Sequence, residues 1–266
     1  MFRDITIGQY YPVDSILHRL DPRVKLVGTL LFIISLFVVN NYLGYIAVTI
    51  FLASIIISSK VPLKFILKGI KPILFLLVFT VGFNLFLTSG TPVFKFWILT
   101  ITKEGIIIAS KMGFRLIFLI VGSSIMTYTT TPNQLTDGLE SLLLPLNKIK
   151  VPVHEIAMMM SIALRFIPIL VEETDKIMKA QMARGADFES GNIIQRSKSL
   201  IPILIPLFVS AFRRANELAM AMEARCYRGG KGRTKMKPLK YARKDIIIYT
   251  VLIVYIALTI IIRIIL

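Results

Sequence analysis

The chain reads as an all-α integral membrane protein with about five transmembrane helices and, before the last of them, long amphipathic helices too polar to cross a bilayer. Three observations predict this. More than half of the 266 residues are hydrophobic (55%) and mean hydropathy is +0.73, too apolar for an ordinary soluble domain. Apolar runs of near-spanning length recur along the chain, separated by turns and basic loops. The stretch 152–230 keeps helical periodicity but carries charges throughout its second halves. One integral membrane domain is the simplest count, divided as 1–128 with four spans, 129–245 outside the bilayer, and 246–266 as the final span.

The charge balance supports orientation rather than nucleic-acid binding. The net charge is +17, but Lys and Arg sit between apolar runs, where the positive-inside rule puts them. Cys226 is the only cysteine, so no internal disulfide is possible, and His18 and His154 are too few for a histidine-rich metal site. The first apolar run follows a mixed polar segment and has spanning length, without the short apolar region and small-residue cleavage site of a secretory signal. It is a retained first span.

Taken in order, residues 1–22 are polar and turn-rich, and Asp21-Pro22 predicts an N-cap with proline at the first helical position. Spans one and two follow at 24–39 and 42–57, joined by the uncharged Asn40-Asn41 turn. Lys60, Lys64, Lys68 and Lys71 then come at helical spacing with no acid among them, marking a cytoplasmic loop. Span three is 73–87, entered through an amphipathic helix and carrying Pro72 near its start. A loop with Gly90, Pro92 and Trp97 leads to span four at 105–128, and Trp97 fits an interfacial anchor. Lys111 and Arg115 lie four apart in that span; snorkelling or packing against a neighbouring helix accounts for them more simply than a transport path. Thr129-Thr130-Thr131-Pro132 breaks the helix, 133–144 is a short amphipathic segment, and Pro145 and Pro152 bracket a basic turn with Lys148 and Lys150.

Two long helices come next. Ile156, Met159, Met160, Ala163, Ile167, Leu170 and Ile177 form one apolar stripe, interrupted as a span by Arg165 and Glu172. After a loop with Asp187, Glu189 and Gly191, a second stripe runs through Leu204, Leu207, Phe208, Ala211, Ala215, Leu218, Ala219 and Met222. Pro168, Pro202 and Pro206 are expected to bend these helices. The two end alike, in Ala183-Arg184-Gly185 and Ala224-Arg225-Cys226. An arginine in a last helical turn complements the macrodipole and Gly185 fits the residue after a C-cap, so termination alone explains either end. The repetition favours function, because arginine's fixed fork of donors suits the carboxylates and carbonyls of a partner. Seven methionines lie on these helices, among them Met158, Met159 and Met160, a flexible and polarizable surface for adaptable contacts.

Other chemistry is excluded. Gly229-Gly230-Lys231-Gly232 lacks the earlier glycine, the following Ser or Thr and the preceding strand of a P-loop. His154-Glu155 has Met158 where a zinc HExxH motif needs its second histidine. No nucleophile, base and orienting acid can be assembled, which predicts a non-enzymatic chain with no cofactor of its own.

Four spans, Thr-Thr-Pro, Ala163-Leu164-Arg165-Phe166-Ile167-Pro168, the two Ala-Arg-small motifs and a last span together resemble the transmembrane T component (EcfT family) of energy-coupling factor (ECF) transporters. The resemblance covers essentially the whole chain, and the paired motifs are its most specific part. It implies cytoplasmic coupling helices that dock onto a pair of ABC-type ATPases, with Ala183, Arg184, Gly185, Ala224, Arg225 and Cys226 as the contacts. Cys226 stands where the family often has Gly or another small residue, a departure expected to affect only fine packing. The resemblance further implies a substrate-binding S component, assigned to the Met158 to Met160 face, ATP bound by the partner subunits, and vitamin or other micronutrient cargo. The location is the cell membrane, in contact with lipid and not nucleic acid, with the N-terminus and coupling helices cytoplasmic. The rival from another class is a membrane-anchored structural or assembly protein holding anionic partners by its basic region. A secondary transporter is weakened by the lack of inverted repeats and of central acids in the spans.

Overall fold

Asp21 and Pro22 open helix α1 (Pro22–Val38) as their chemistry demands: Pro22 occupies the first turn and the Asp21 carboxylate accepts the Arg23 backbone N–H at 2.9 Å. The structure is a computed structural model that describes residues 10–96, 99–186, 188, 192, 194, 198–230, 236 and 238–265. Trp97, Asp187, Glu189, Gly191 and the Lys231 to Thr234 run lie outside the described residues. Among the described residues the chain divides into two compact units, one of Gly8–Ser141 with Leu239–Leu266 and one containing Leu142–Pro238.

In the first unit, α2 (Tyr42–Ser59) follows the Asn40-Asn41 turn and ends at Lys60, which adopts a left-handed conformation with φ 57°. Lys60 therefore caps one helix, while Lys64 and Lys68 are exposed on the next, α3 (Leu63–Ile70). A 3₁₀ turn at Lys71–Ile73 absorbs Pro72 and passes into α4 (Leu74–Leu87). Where the sequence predicts only a loop, a short antiparallel hairpin forms from β1 (Pro92–Phe96) and β2 (Leu99–Thr102). The Thr102 hydroxyl then accepts the Gly105 backbone N–H at 3.0 Å and starts α5 (Lys103–Thr129). Thr131 and Gln134 exchange side-chain and backbone hydrogen bonds at 3.3 and 3.2 Å, a capping box that opens α6 (Pro132–Leu143). The final helix of this unit is Arg243–Ile265, called α9 below.

Helix α5 packs against α1, α2, α3 and α4, and α1 and α2 also pack against α9. The core between them holds Phe32, Leu36, Val48, Phe118, Ile125 and Tyr255. Its polar members are all satisfied: the Tyr255 and Ser35 hydroxyls pair at 2.9 Å, and the Tyr128 hydroxyl donates to the Phe65 carbonyl at 2.9 Å. Arg115 donates to the Val39 carbonyl and to Asn40 Oδ1, both at 3.3 Å, and lies over Phe37; Lys111 lies over Tyr42. These two cations thus serve the α1–α2 turn by packing and helix capping, the simpler of the two expectations.

Five stretches among the described residues are long and apolar enough to cross a membrane: α2, Leu63–Leu87, α5, Val153–Ala183 and α9. The number agrees with expectation but the membership does not. Helix α1 has 17 residues, about 25 Å, the lower limit for a hydrocarbon core about 30 Å thick. Val153–Ala183, expected to be too polar, contains an 18-residue window of mean hydropathy 1.6, because such a window closes before the charged run that begins at Glu172. Arg23 both reaches Ser141, at 3.3 Å, and lies 3.9 Å from the ring centre of Tyr241. The chain therefore leaves this unit after Ser141 and re-enters it before Tyr241 at one and the same end.

Candidate functional site

The second unit is built on α7 (Val153–Ala183), 31 residues long, and α8 (Ile201–Ala224), 24 residues long. A 3₁₀ segment at Leu144–Ile149 precedes them, and the Asn147 side chain accepts the Val153 backbone N–H at 3.4 Å as α7 begins. Pro168 and Pro206 lie inside the helices, but Pro202 does not bend α8: it stands in the first turn, where its missing N–H costs nothing.

The two helices run antiparallel. Gln181 near the end of α7 donates to the Pro202 carbonyl at the start of α8 at 3.4 Å, and Gly230, past the end of α8, lies against His154 at the start of α7. Between these points, Glu173 accepts from the Ser210 hydroxyl and pairs with Arg214 at 2.9 Å. Ser210 is buried, and Ile203 is the other buried residue of α8. The α8 face turned to α7 thus coincides only in part with the apolar stripe predicted: Leu207, Ala211, Leu218 and Met222 are half-buried on it, and the rest of the stripe is exposed. Leu204 and Phe208, assigned to that stripe, are 57% and 65% exposed, as are Ile205 and Val209 beside them. Periodicity failed here because 201–212 carries no charge on any face, so the sequence holds no contrast to orient it.

Both helices end in one geometry. At the end of α7 the Ala186 N–H bonds the Gln181 carbonyl and the Gly185 N–H bonds the Met182 carbonyl, each at 3.0 Å, with Gly185 at φ 88°. At the end of α8 the Tyr227 N–H bonds the Met222 carbonyl at 3.0 Å and the Cys226 N–H bonds the Glu223 carbonyl at 2.8 Å, with Cys226 at φ 54°. Each is a Schellman motif with Ala as the last helical residue, Arg at the C-cap and a left-handed residue after it. The position held by Gly185 or Cys226 is therefore one where backbone conformation matters, and not fine packing alone. A side chain there costs about 1 kcal/mol relative to glycine. All six motif residues are exposed, and neither the Arg184 nor the Arg225 side chain has an ion-pair or hydrogen-bond partner among the described residues.

The antiparallel pairing places the two arginines at opposite ends of the pair, separated by roughly the length of α8, about 36 Å at 1.5 Å per residue. Glu173 is eleven residues before Arg184, and Arg214 eleven before Arg225. Eleven residues are close to three turns, so each arginine shares a helix face with its lock residue, and the two arms are equal. Sequence reading missed the lock. Its signal was opposite charges at one offset from the two repeated motifs. Met159 and Met160 are exposed and Met158 is partly buried, all near the α7 start and hence beside the Arg225 end. No group of three or more metal-ligating side chains occurs among the described residues.

Comparisons with known proteins agree with this architecture. Residues 14–236 match the family model described as cobalt transport protein. The energy-coupling factor transporter transmembrane protein EcfT of Ruminiclostridium cellulolyticum is 58% identical over 255 residues, covering 96% of both chains. That of Clostridium kluyveri is 56% identical over 266 residues, covering 99% of this chain and 98% of its own. That of Bacillus subtilis is 47% identical over 264 residues, covering 99% and 100%. A multi-pass helical membrane chain so alike over its whole length is a transporter membrane component, and it belongs to the EcfT family of energy-coupling factor transporter transmembrane proteins.

Proposed function

We propose that this chain is the coupling scaffold of an ATP-driven importer, in which two ABC-type ATPases dock on the Arg184 and Arg225 ends. The observation that carries this reading is the pair of equal arms. Two identical helix ends, exposed and about 36 Å apart by helix rise, match two equivalent docking points on a pair of similar subunits and exceed what one small site can engage. ATP belongs to the partner subunits, and the arms act as stiff levers that carry their motion. Glu173, Ser210 and Arg214 hold the levers at their crossing.

The exposed apolar residues of α7 and α8, with Met159 and Met160 among them, offer the surface for a substrate-binding S component. The lysine-bearing end of the membrane unit, with Lys60, Lys64 and Lys68, faces the cytoplasm by the positive-inside rule, and the chain is a subunit of the cell membrane. The cargo class is a vitamin or other micronutrient; the cobalt transport family matched by 14–236 belongs to the same class of scarce nutrients.

The test is copurification of the ATPase subunits with wild-type chain and with the Arg184→Ala/Arg225→Ala double variant in mild detergent. Truncating an arginine in a packed contact costs about 2–5 kcal/mol, so association should fall roughly thirtyfold or more while membrane insertion is unchanged. Normal ATPase retention by the double variant would reduce both motifs to helix ends.

A further inference from the structure

A cavity of about 520 Å³ lies inside the membrane unit between α1, α2, α5 and α9, within the range of about 300–1,000 Å³ typical of ligand pockets. It has a polar end and an apolar end. Lys25, Ser58, Thr129 and Lys244 line it where α1 and α9 begin and where α2 and α5 finish, which is the lysine-bearing end of the unit. Phe32 and Leu252 line it deeper. From Lys244 to Leu252 the α9 wall descends about 12 Å at 1.5 Å per residue, most of one leaflet of a hydrocarbon core about 30 Å thick. Two wall positions are glycine, which lets Phe32 and Leu252 pack close against the neighbouring helices. A Cβ on Gly122 would meet the Phe32 ring at 2.3 Å, and one on Gly28 would meet Leu252 at 3.0 Å.

The charges around the polar end are unequal in availability. Asp21 is neutralised by Arg23 at 2.9 Å, and Asp245 accepts the Asp21 and Ala242 backbone N–H groups at 3.0 and 2.7 Å. Buried Lys25 donates to the Thr129 and His18 carbonyls, at 2.7 and 3.3 Å, leaving one of its three donors. Lys244 is exposed and has no partner among the described residues, and Lys240 and Arg243 add positive charge nearby in sequence.

We propose that this cavity is a binding site for one anionic phospholipid, with an acyl chain in the apolar depth and the phosphate at Lys244 and the free Lys25 donor. An apolar slot running inward from a cationic rim fits an amphiphile with a negative head, and basic pockets between transmembrane helices recognise lipid head groups in this way. A neutral lipid gains the chain contacts but not the charge. The site shares no residue with the Arg184 and Arg225 ends, so lipid retention and ATPase docking can fail separately.

The experiment uses the purified transporter complex in nanodiscs with chain-labelled spin probes of phosphatidylglycerol, phosphatidylcholine and a free fatty acid. The expected result is a motionally restricted phosphatidylglycerol population held about fivefold more strongly than phosphatidylcholine, the order contributed by one basic residue near an anionic head. Lys244→Gln should erase the preference without removing the restricted population. Ser54→Phe, which fills the cavity from α2, should remove that population for both lipids, with subunit copurification reporting that the fold is intact. Equal retention of both phospholipids by the wild type, no effect of Ser54→Phe in an assembled complex, or retention of the free fatty acid as strong as phosphatidylglycerol would each overturn the proposal.

Discussion

Helices α5 and α7 are of similar length and similar hydropathy, yet they use their apolar residues in opposite ways. Helix α5 buries nine of its 27 residues against four other helices, whereas α7 buries only Val153 and Ala157 of its 31. The difference shows that the membrane unit carries a core of its own, while the α7–α8 pair holds its apolar surface outward and is joined chiefly through one polar lock and one narrow seam. On the proposed coupling role this arrangement is an advantage, because exposed apolar surface remains available for partner subunits.

The strongest way to break the comparison is to truncate one large apolar residue in each unit. Leu36 is fully buried, and Leu36→Ala should destabilise the membrane unit by about 2–5 kcal/mol. Phe208 is 65% exposed, and Phe208→Ala should shift the stability of the isolated chain by no more than about 0.5 kcal/mol. Equal losses in chemical unfolding of detergent-solubilised chain would mean that the helix pair has a core like that of the membrane unit.

A smaller effect is expected at the lock. Glu173 and Arg214 side chains are 21% and 35% exposed, so solvent screens their pairing, and a double-mutant cycle of Glu173→Gln and Arg214→Leu should read a coupling of about 1 kcal/mol. The same variants should loosen ATP-driven uptake more than ATPase binding, since they sit at the crossing and not at the ends. Uptake and binding lost in proportion would remove the lever role.

The two ends can be compared with each other. Gly185→Ala should weaken the α7 terminus by about 1 kcal/mol, because it puts a Cβ on a residue at φ 88°, whereas Cys226→Gly should strengthen the α8 terminus by a similar amount. Hydrogen exchange of the Ala186 and Tyr227 amides reads both directly. Changes of one sign at both ends would mean that the motifs are not conformationally equivalent.

The smallest effect concerns pH and is confined to the membrane unit. His18 holds its neutral form: the ring accepts from the Ser15 hydroxyl at 2.7 Å and donates to the Tyr11 carbonyl at 3.0 Å. Burial, ahead of the other influences, pushes its pKa below the ordinary 6.5. The unfolded chain therefore binds the proton more readily, so this contribution to stability is fully present above pH 6.5 and is lost as pH falls from there through the lowered folded value. Acid titration of unfolding should show the loss in wild type and its removal in His18→Gln, and an unchanged profile in that variant would clear His18 of the effect.

Much of the architecture was legible in the residues themselves because its causes are local. Asp21-Pro22 specifies a helix start, Thr-Thr-Pro stops α5, and the Lys60 to Lys71 cluster marks one end of the membrane unit, each by nearest-neighbour geometry or by charge count. The paired Ala-Arg-small ends were visible for the same reason, since a Schellman motif closes within six residues. What only the tertiary structure decided depends on partners distant in sequence. Residues 201–212 are uncharged on every face, so only packing against α7 reveals that Ile203 and Ser210 face inward and Phe208 outward. The antiparallel pairing that sets Arg184 and Arg225 at opposite ends, and the Glu173 to Arg214 lock across 41 residues of chain, likewise exist only once the two helices meet. Periodicity tells which faces of a helix are apolar; it carries no information on which of them another helix will cover.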